Sequence, residues 1–173
     1  MAGDVRCTRP GRLLTGARHN QAVEILAKTD YAVRAMLGLA DRAPGLVKID
    51  VLIGEQKMPR KFLESILVDL RRAGLVRSQR GAEGGYALAV SADQISLGAI
   101  IRAVDGPLAE VRGQRPEQTI YTGVAEHLPQ IWVAVRASLR RVLDETTLQQ
   151  VLDGDLPEHV EEMVRPAEAW RAR

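Results

Sequence analysis

The stretch Lys57-Met58-Pro59-Arg60-Lys61-Phe62-Leu63-Glu64-Ser65-Ile66-Leu67-Val68-Asp69-Leu70-Arg71-Arg72-Ala73-Gly74-Leu75-Val76 decides how this chain is read. Leu63, Ile66, Leu67 and Leu70 recur at i, i+3, i+4 and i+7, the spacing of one buried helix face. Pro59 suits the opening of that helix, where a missing N–H leaves nothing unsatisfied. Gly74 stands where a left-handed residue closes a helix. Off the apolar stripe lie Arg60, Lys61 and Glu64 in the first half and Arg71 and Arg72 at the end.

The neighbours complete a pattern. Upstream, Ala32, Ala35, Met36, Leu39 and Ala40 share one helical face, with Thr29 as the expected N-cap and Pro44-Gly45 as the stop. A short second helix carries Ile49, Leu52 and Ile53. Downstream, Val76–Gln79 reads as a strand and Gly81-Ala82-Glu83-Gly84-Gly85 as a flexible tip. Tyr86, Leu88 and Val90 alternate on the return strand. Ser96 caps an expected fourth helix with Leu97, Ile100, Ile101 and Val104 inward, stopped by Asp105-Gly106-Pro107. Three helices followed by a hairpin is the order of a winged helix-turn-helix. Its third helix is shaped for the DNA major groove and its hairpin tip for the neighbouring minor groove.

Charge agrees. Between positions 57 and 80, Lys57, Arg60, Lys61, Arg71, Arg72, Arg77 and Arg80 oppose only Glu64 and Asp69, a local net charge of +5 in a chain that carries +2 overall. Phosphate neutralisation needs such a concentration. Each residue has two readings. Glu64 accepts from a cytosine amino group or pairs with Arg60 one turn away. Arg71 and Arg72 complement the helix dipole or contact phosphate. Arg77 and Arg80 belong to the hairpin, and Arg80 points to phosphate or minor groove. Gly84 and Gly85 serve a tight turn with close backbone approach rather than a nucleotide loop, because they do not open a helix. Tyr86 reads as a packing residue of the wing before a base stacker.

Beyond the fourth helix, residues 108–127 are irregular and polar and read as a connector, a possible sensing loop. A longer helix follows. Leu128, Trp132, Val135, Leu139 and Val142 are spaced 4, 3, 4, 3, the seam of a short coiled coil, expected to join two copies or to be core within one chain. Thr147-Leu148-Gln149-Gln150 has the form of a capping box for a final helix ending at Gly154. The expected architecture is therefore mainly α with a small β-hairpin: a winged helix-turn-helix over residues 23–107, the connector, dimerisation helices over 128–154, and a frayed polar tail over 155–173.

Composition excludes other classes. Aromatics at 3% rule against a broad stacking surface for single-stranded nucleic acid. The one cysteine, Cys7, cannot form an intrachain disulfide or a site of several thiolates, and fits a reducing compartment, so a cytoplasmic location is expected. No apolar run is long enough to span a bilayer. His19, His127 and His159 are far apart and no nucleophile motif is present, so nothing points to an enzyme. His127 beside Glu126 reads as a solvated helix start. Residues 1–22 are arginine-rich (Arg6, Arg9, Arg12, Arg18) with one acid, Asp4. A disordered arm or misassigned start, a minor-groove arm and a targeting peptide all remain open for them, in that order.

The chain also resembles a known family. Lys28-Thr29-Asp30-Tyr31-Ala32-Val33-Arg34-Ala35, Pro59 to Glu64, Leu70 to Val76, Arg80 to Tyr86 and Ile95 to Leu108 together resemble the Rrf-two (Rrf2) family of bacterial regulators, nearly continuously from about Val23 to Leu108 and loosely to about Gly154. The resemblance implies a winged-helix homodimer joined by a long helix, binding imperfect palindromes of double-stranded DNA near promoters, often as a repressor. It places Glu64 at a base-contacting position and Arg80 at the wing arginine. Iron–sulfur members carry three cysteines in the connector, where this chain has none, so no cluster or other cofactor is expected. The effector is left open: a small metabolite, a partner protein or another redox route. An intermolecular disulfide through Cys7 is the minor reading of that thiol. A rival function is a winged-helix adaptor whose basic face docks an acidic protein.

Overall fold

A computed structural model describes residues 26–171. The arginine-rich segment with Cys7 and His19 lies outside the described residues. Helices α1 (Ala27–Ala40), α2 (Ile49–Gln56) and α3 (Arg60–Arg72) precede an antiparallel hairpin of β1 (Val76–Gln79) and β2 (Gly85–Leu88). Then come α4 (Leu97–Asp105), α5 (Leu128–Asp144), α6 (Leu148–Asp153) and α7 (Glu158–Val164). This is the mainly helical winged-helix fold expected. The connector between α4 and α5 carries two short 3-10 turns, Pro116–Gln118 and Gly123–Ala125.

The core follows the periodicity. Ala32, Ala35, Met36 and Leu39 of α1, Leu52 of α2 and Leu63, Ile66, Leu67 and Leu70 of α3 are all fully buried in one cluster with Ile95 and Ile100. The hairpin pairs Val76 with Leu88 and Gln79 with Gly85, so Val76 and Leu88 face that cluster. Ser96 accepts from the Ala99 N–H at 3.1 Å and caps α4 as its sequence position predicts. At the start of α6, Thr147 and Gln150 form the expected reciprocal capping box.

Four local expectations are corrected. Thr29 does not cap α1. Leu26 occupies that position, and the Thr29 hydroxyl instead donates to the Asp105 carboxylate at the end of α4. The return strand stops at Leu88, leaving Val90 exposed outside it. Residues 128–154 read as dimerisation helices, yet α6 closes the winged-helix core: Leu148 is fully buried and its N–H donates to the Ile95 carbonyl at 2.9 Å. The tail expected to fray contains α7, tied back to α5 where His159 Nε2 lies 2.9 Å from the Arg141 carbonyl. Among the described residues, no helix is long and apolar enough to cross a membrane.

Candidate nucleic-acid interface

Burying the stripe of α3 turns Arg60, Lys61, Glu64, Ser65, Val68, Arg71 and Arg72 outward, and all are exposed. Three sets of contacts hold the helix at that angle. The Tyr31 and Phe62 rings meet edge to face, with centroids 5.6 Å apart. Arg34 stacks over Tyr31 and donates to the Gln56 carbonyl at 2.5 Å, fixing the turn between α2 and α3. Lys28 donates to Asp69 at 2.9 Å and to the Val104 carbonyl at 2.5 Å, joining α1 to α3 and α4. Asp69 counts against the positive charge in sequence, but that pairing turns it away from the outer face.

On the outer face, Arg60 lies between Asp50 of α2 and Glu64, whose carboxylate is 3.5 Å away. The geometry therefore holds the ion-pair reading of Glu64, while half of its side chain stays exposed with lone pairs free to accept from a base. Lys61 has no ion-pair partner among the described residues. Sequence reasoning missed Ser65 and Val68. Val68, 37% exposed, is seven residues from Lys61 and four from Glu64, at the middle of this face. An apolar side chain there suits a thymine methyl. The signal was available in that spacing, which puts Val68 off the stripe of Leu63, Ile66, Leu67 and Leu70.

A cleft of about 400 Å³ opens between the start of α2, the end of α3 and the wing. Lys48, Arg71 and Arg80 supply its positive charge, with Ser78 and Gln79 on the wall. Arg71 donates to the Ser78 hydroxyl at 3.3 Å, linking the recognition helix to the wing. Arg72 instead stays near Asp69, at 3.8 Å. Arg80 has no partner among the described residues. Arg77 points the other way from Ser78 along β1 and donates to the Pro44 carbonyl at 3.1 Å, so it braces the wing. A Cβ on Gly85 would stand 2.6 Å from the Val47 carbonyl oxygen, and one on Gly84 would overlap the Gln79 carbonyl. Close backbone approach is thus their role. Tyr86 is half-buried and exchanges both backbone hydrogen bonds with Val47, which agrees with packing rather than base stacking.

The structure divides the sequence-predicted seam of α5. Leu139 and Val142 line an apolar cleft of about 390 Å³ with Thr29, Val33, Leu97 and Ile101. Trp132, Val135 and Leu139 border the connector at Val111 and Pro116. Leu128, Trp132, Leu139 and Val142 are half-buried against their own chain, whereas Val135 is 43% and its neighbour Ile131 55% exposed. His127 is exposed beside Glu126 at the start of the helix, as a solvated position should be.

Comparison with known proteins gives a consistent picture. Residues 25–154 match the Rrf2 family, described as iron-dependent transcriptional regulators. An HTH-type transcriptional regulator of Mycobacterium tuberculosis is 48% identical over 148 residues, 85% of this chain and 90% of that protein. The solved structure of CymR, the global cysteine regulator of Bacillus subtilis, superposes with a TM-score of 0.64 at 32% identity, over 75% of this chain and 96% of that one. IscR of T. potens superposes with a TM-score of 0.62 at 31% identity, over 87% and 93%. Iron–sulfur clusters are held by several thiolates. The connector offers Glu110, Arg112, Gln114, Arg115 and Glu117 and no cysteine, a donor set that does not fit such a cluster. Among the described residues, no group of three His, Cys, Asp or Glu side chains is arranged to hold a metal. With its buried three-helix core, basic third helix and glycine-tipped wing, the chain belongs to the Rrf2 family of winged helix-turn-helix, DNA-binding transcription regulators.

Proposed function

We propose that this regulator acts as a homodimer on a palindromic operator, as a repressor that works without an iron–sulfur cluster. The observation that carries the reading is the continuity of the outer face of α3 with the Lys48–Arg71–Arg80 cleft. Lys61, Glu64 and Val68 would face base edges, while Lys48, Arg71 and Arg80 would take the flanking phosphates. Arg60 joins the base-reading set only by exchanging an acidic partner for DNA. Two-fold operators need a two-fold protein. Ile131 and Val135 present unpartnered apolar surface on α5, and the cleft beside Leu139 and Val142 offers a second α5 more of the same. The repressing sign belongs to the proposal: a dimer seated across a promoter would exclude polymerase.

The test is selection of genomic fragments by the full chain at moderate salt, read by sequencing. An enriched palindrome with half-sites about one helical turn apart supports the reading. Salt-sensitive background with no enriched site sinks it, and leaves the basic face to an acidic protein partner.

A further inference from the structure

A second cavity, of about 300 Å³, lies between the connector and α5, away from the α3–wing face. Its wall carries Arg102, Arg115, Arg136 and Arg140, with Glu110 and Glu117 as the acidic residues. Arg102 comes from the last turn of α4 and Arg115 from the residue before the Pro116–Gln118 turn. Arg136 and Arg140 come from successive turns of α5. Two of the four are already held. Arg136, with 13% of its side chain exposed, lies 2.5 Å from Glu117, and Arg102 donates to Asp144 at 2.7 Å. The Glu117 carboxyl is pushed below its ordinary value by a hydrogen bond from its own backbone N–H. The Arg136 and Arg115 guanidiniums add to that shift against the opposing effect of desolvation, so it stays ionised and keeps Arg136 in place. Arg115 and Arg140 are exposed and have no ion-pair partner among the described residues.

Scattered surface arginines would need no explanation. These four come from three separate elements and converge on one concavity, where like charges repel. Glu110 and Glu117 on the wall and Asp144 beside Arg102 still leave net positive charge. Guanidinium forks match carboxylate and phosphate groups edge to edge, and the volume falls at the lower end of small-ligand sites. The wall between them is shaped by Ala109, whose φ of 55° is rare for a residue with a side chain. The position is also free of the apolar face of α5. Arg140 is nine residues from Ile131, about two and a half turns, and so on the opposite side. A second copy seated on Ile131 and Val135 would leave the cavity open.

We propose that this cavity binds a small anionic metabolite bearing at least two acidic groups, carboxylate or phosphate, with Arg115 and Arg140 as the principal contacts and Arg102 and Arg136 as the supporting wall. Such a ligand would tie the connector to α5 and, through Arg102, to α4, which packs on both α1 and α3. The ligand would thereby set the angle of α5 against the DNA-reading head. That regulatory consequence rests on the operator reading above; the binding itself does not.

Calorimetric titration of the full chain with citrate and, separately, pyrophosphate, at ionic strength fixed with sodium chloride and without DNA, tests the site. Saturable binding of either anion is expected, and the anion that binds more tightly identifies the preferred acidic group. Affinity should fall at least tenfold in the double variant Arg115→Gln/Arg140→Gln. It should fall a few-fold in Arg140→Lys, which keeps the charge and loses the fork, and be unchanged in Arg165→Gln beyond α7. Absence of saturable binding by both anions overturns the proposal. So does binding that survives the double variant but is lost in Arg80→Gln, which would place the anion in the wing cleft. Because no DNA is present, either result stands whatever the fate of the operator reading.

Discussion

Helices α3 and α5 are both amphipathic, yet they stand differently toward the rest of the chain. In α3 the apolar stripe is fully buried and the opposite side is almost wholly polar. In α5, seventeen residues long, no residue is buried, and Ile131 and Val135 face outward. A helix whose apolar side is satisfied at home has its outer side free for a polar ligand. A helix whose apolar residues stay half uncovered has an unfinished packing problem, and the usual solution is another protein surface. The same amphipathic pattern therefore leaves two different outer faces, one polar and one partly apolar, set by where the chain places the burial.

That contrast can be broken at either helix. The largest effect is expected from Ile66→Ala, which opens the core beneath α3 and should cost about 2–5 kcal/mol of stability, measured by denaturant unfolding. A loss under about 1 kcal/mol would mean that the α3 stripe is no better packed than α5. Next comes the pair Ile131→Asp and Val135→Asp. Sedimentation should show a monomer with its thermal transition little changed, and operator affinity should drop about a hundredfold through lost bivalency. A dimer that survives both substitutions puts the interface elsewhere. Arg80→Glu should weaken binding to every duplex and lower the slope of log K against log salt by at least about 1. Glu64→Ala should leave total affinity nearly intact while changing preference at one base pair by about 1–3 kcal/mol. Equal, sequence-blind losses for both variants would remove the division between reading and anchoring.

The smallest effect concerns acid. The folded-state pKa of Glu117 lies below its unfolded value. Its contribution to stability is therefore present above about pH 4.3 and lost as pH falls through the folded value. Thermal melts below about pH 4.3 should fall more steeply for the natural chain than for Glu117→Gln, and parallel profiles would assign the acid sensitivity to other carboxylates.

What could be read from the sequence tracks how local its causes are. The boundaries of α3, the hairpin and the caps of α4 and α6 follow from Pro59, Gly74, Ser96 and Thr147, each acting within a few residues of itself. The reading of Thr29 failed because its hydroxyl answers to Asp105, 76 positions away. Arg77 reads as a DNA contact from charge alone, yet its guanidinium braces the backbone at Pro44. The seam of α5 was visible as spacing, but spacing cannot say whether Leu139 meets its own α1 and α4 or a second chain. Val68 went unnoticed because its type suggests the interior and only its phase on the helix puts it outside. The arginine cavity could not be seen at all, since its four members lie on three elements across residues 102–140.

One small piece of pairing gives the molecule a mechanical property. The Leu97 N–H donates to Thr146 at 3.0 Å and the Leu148 N–H to Ile95 at 2.9 Å, and so the end of α5 is fastened to the base of α4. Among the described residues, the far end of α5 has no backbone hydrogen bond to that base. The helix is thus a lever with its fulcrum at the DNA-reading head and an arm that spans about 25 Å, at 1.5 Å per residue, with the connector packed along it. A tilt of about 5° would carry the tip of that arm about 2 Å. A slight change of angle between head and arm thus becomes a larger displacement where two copies would meet.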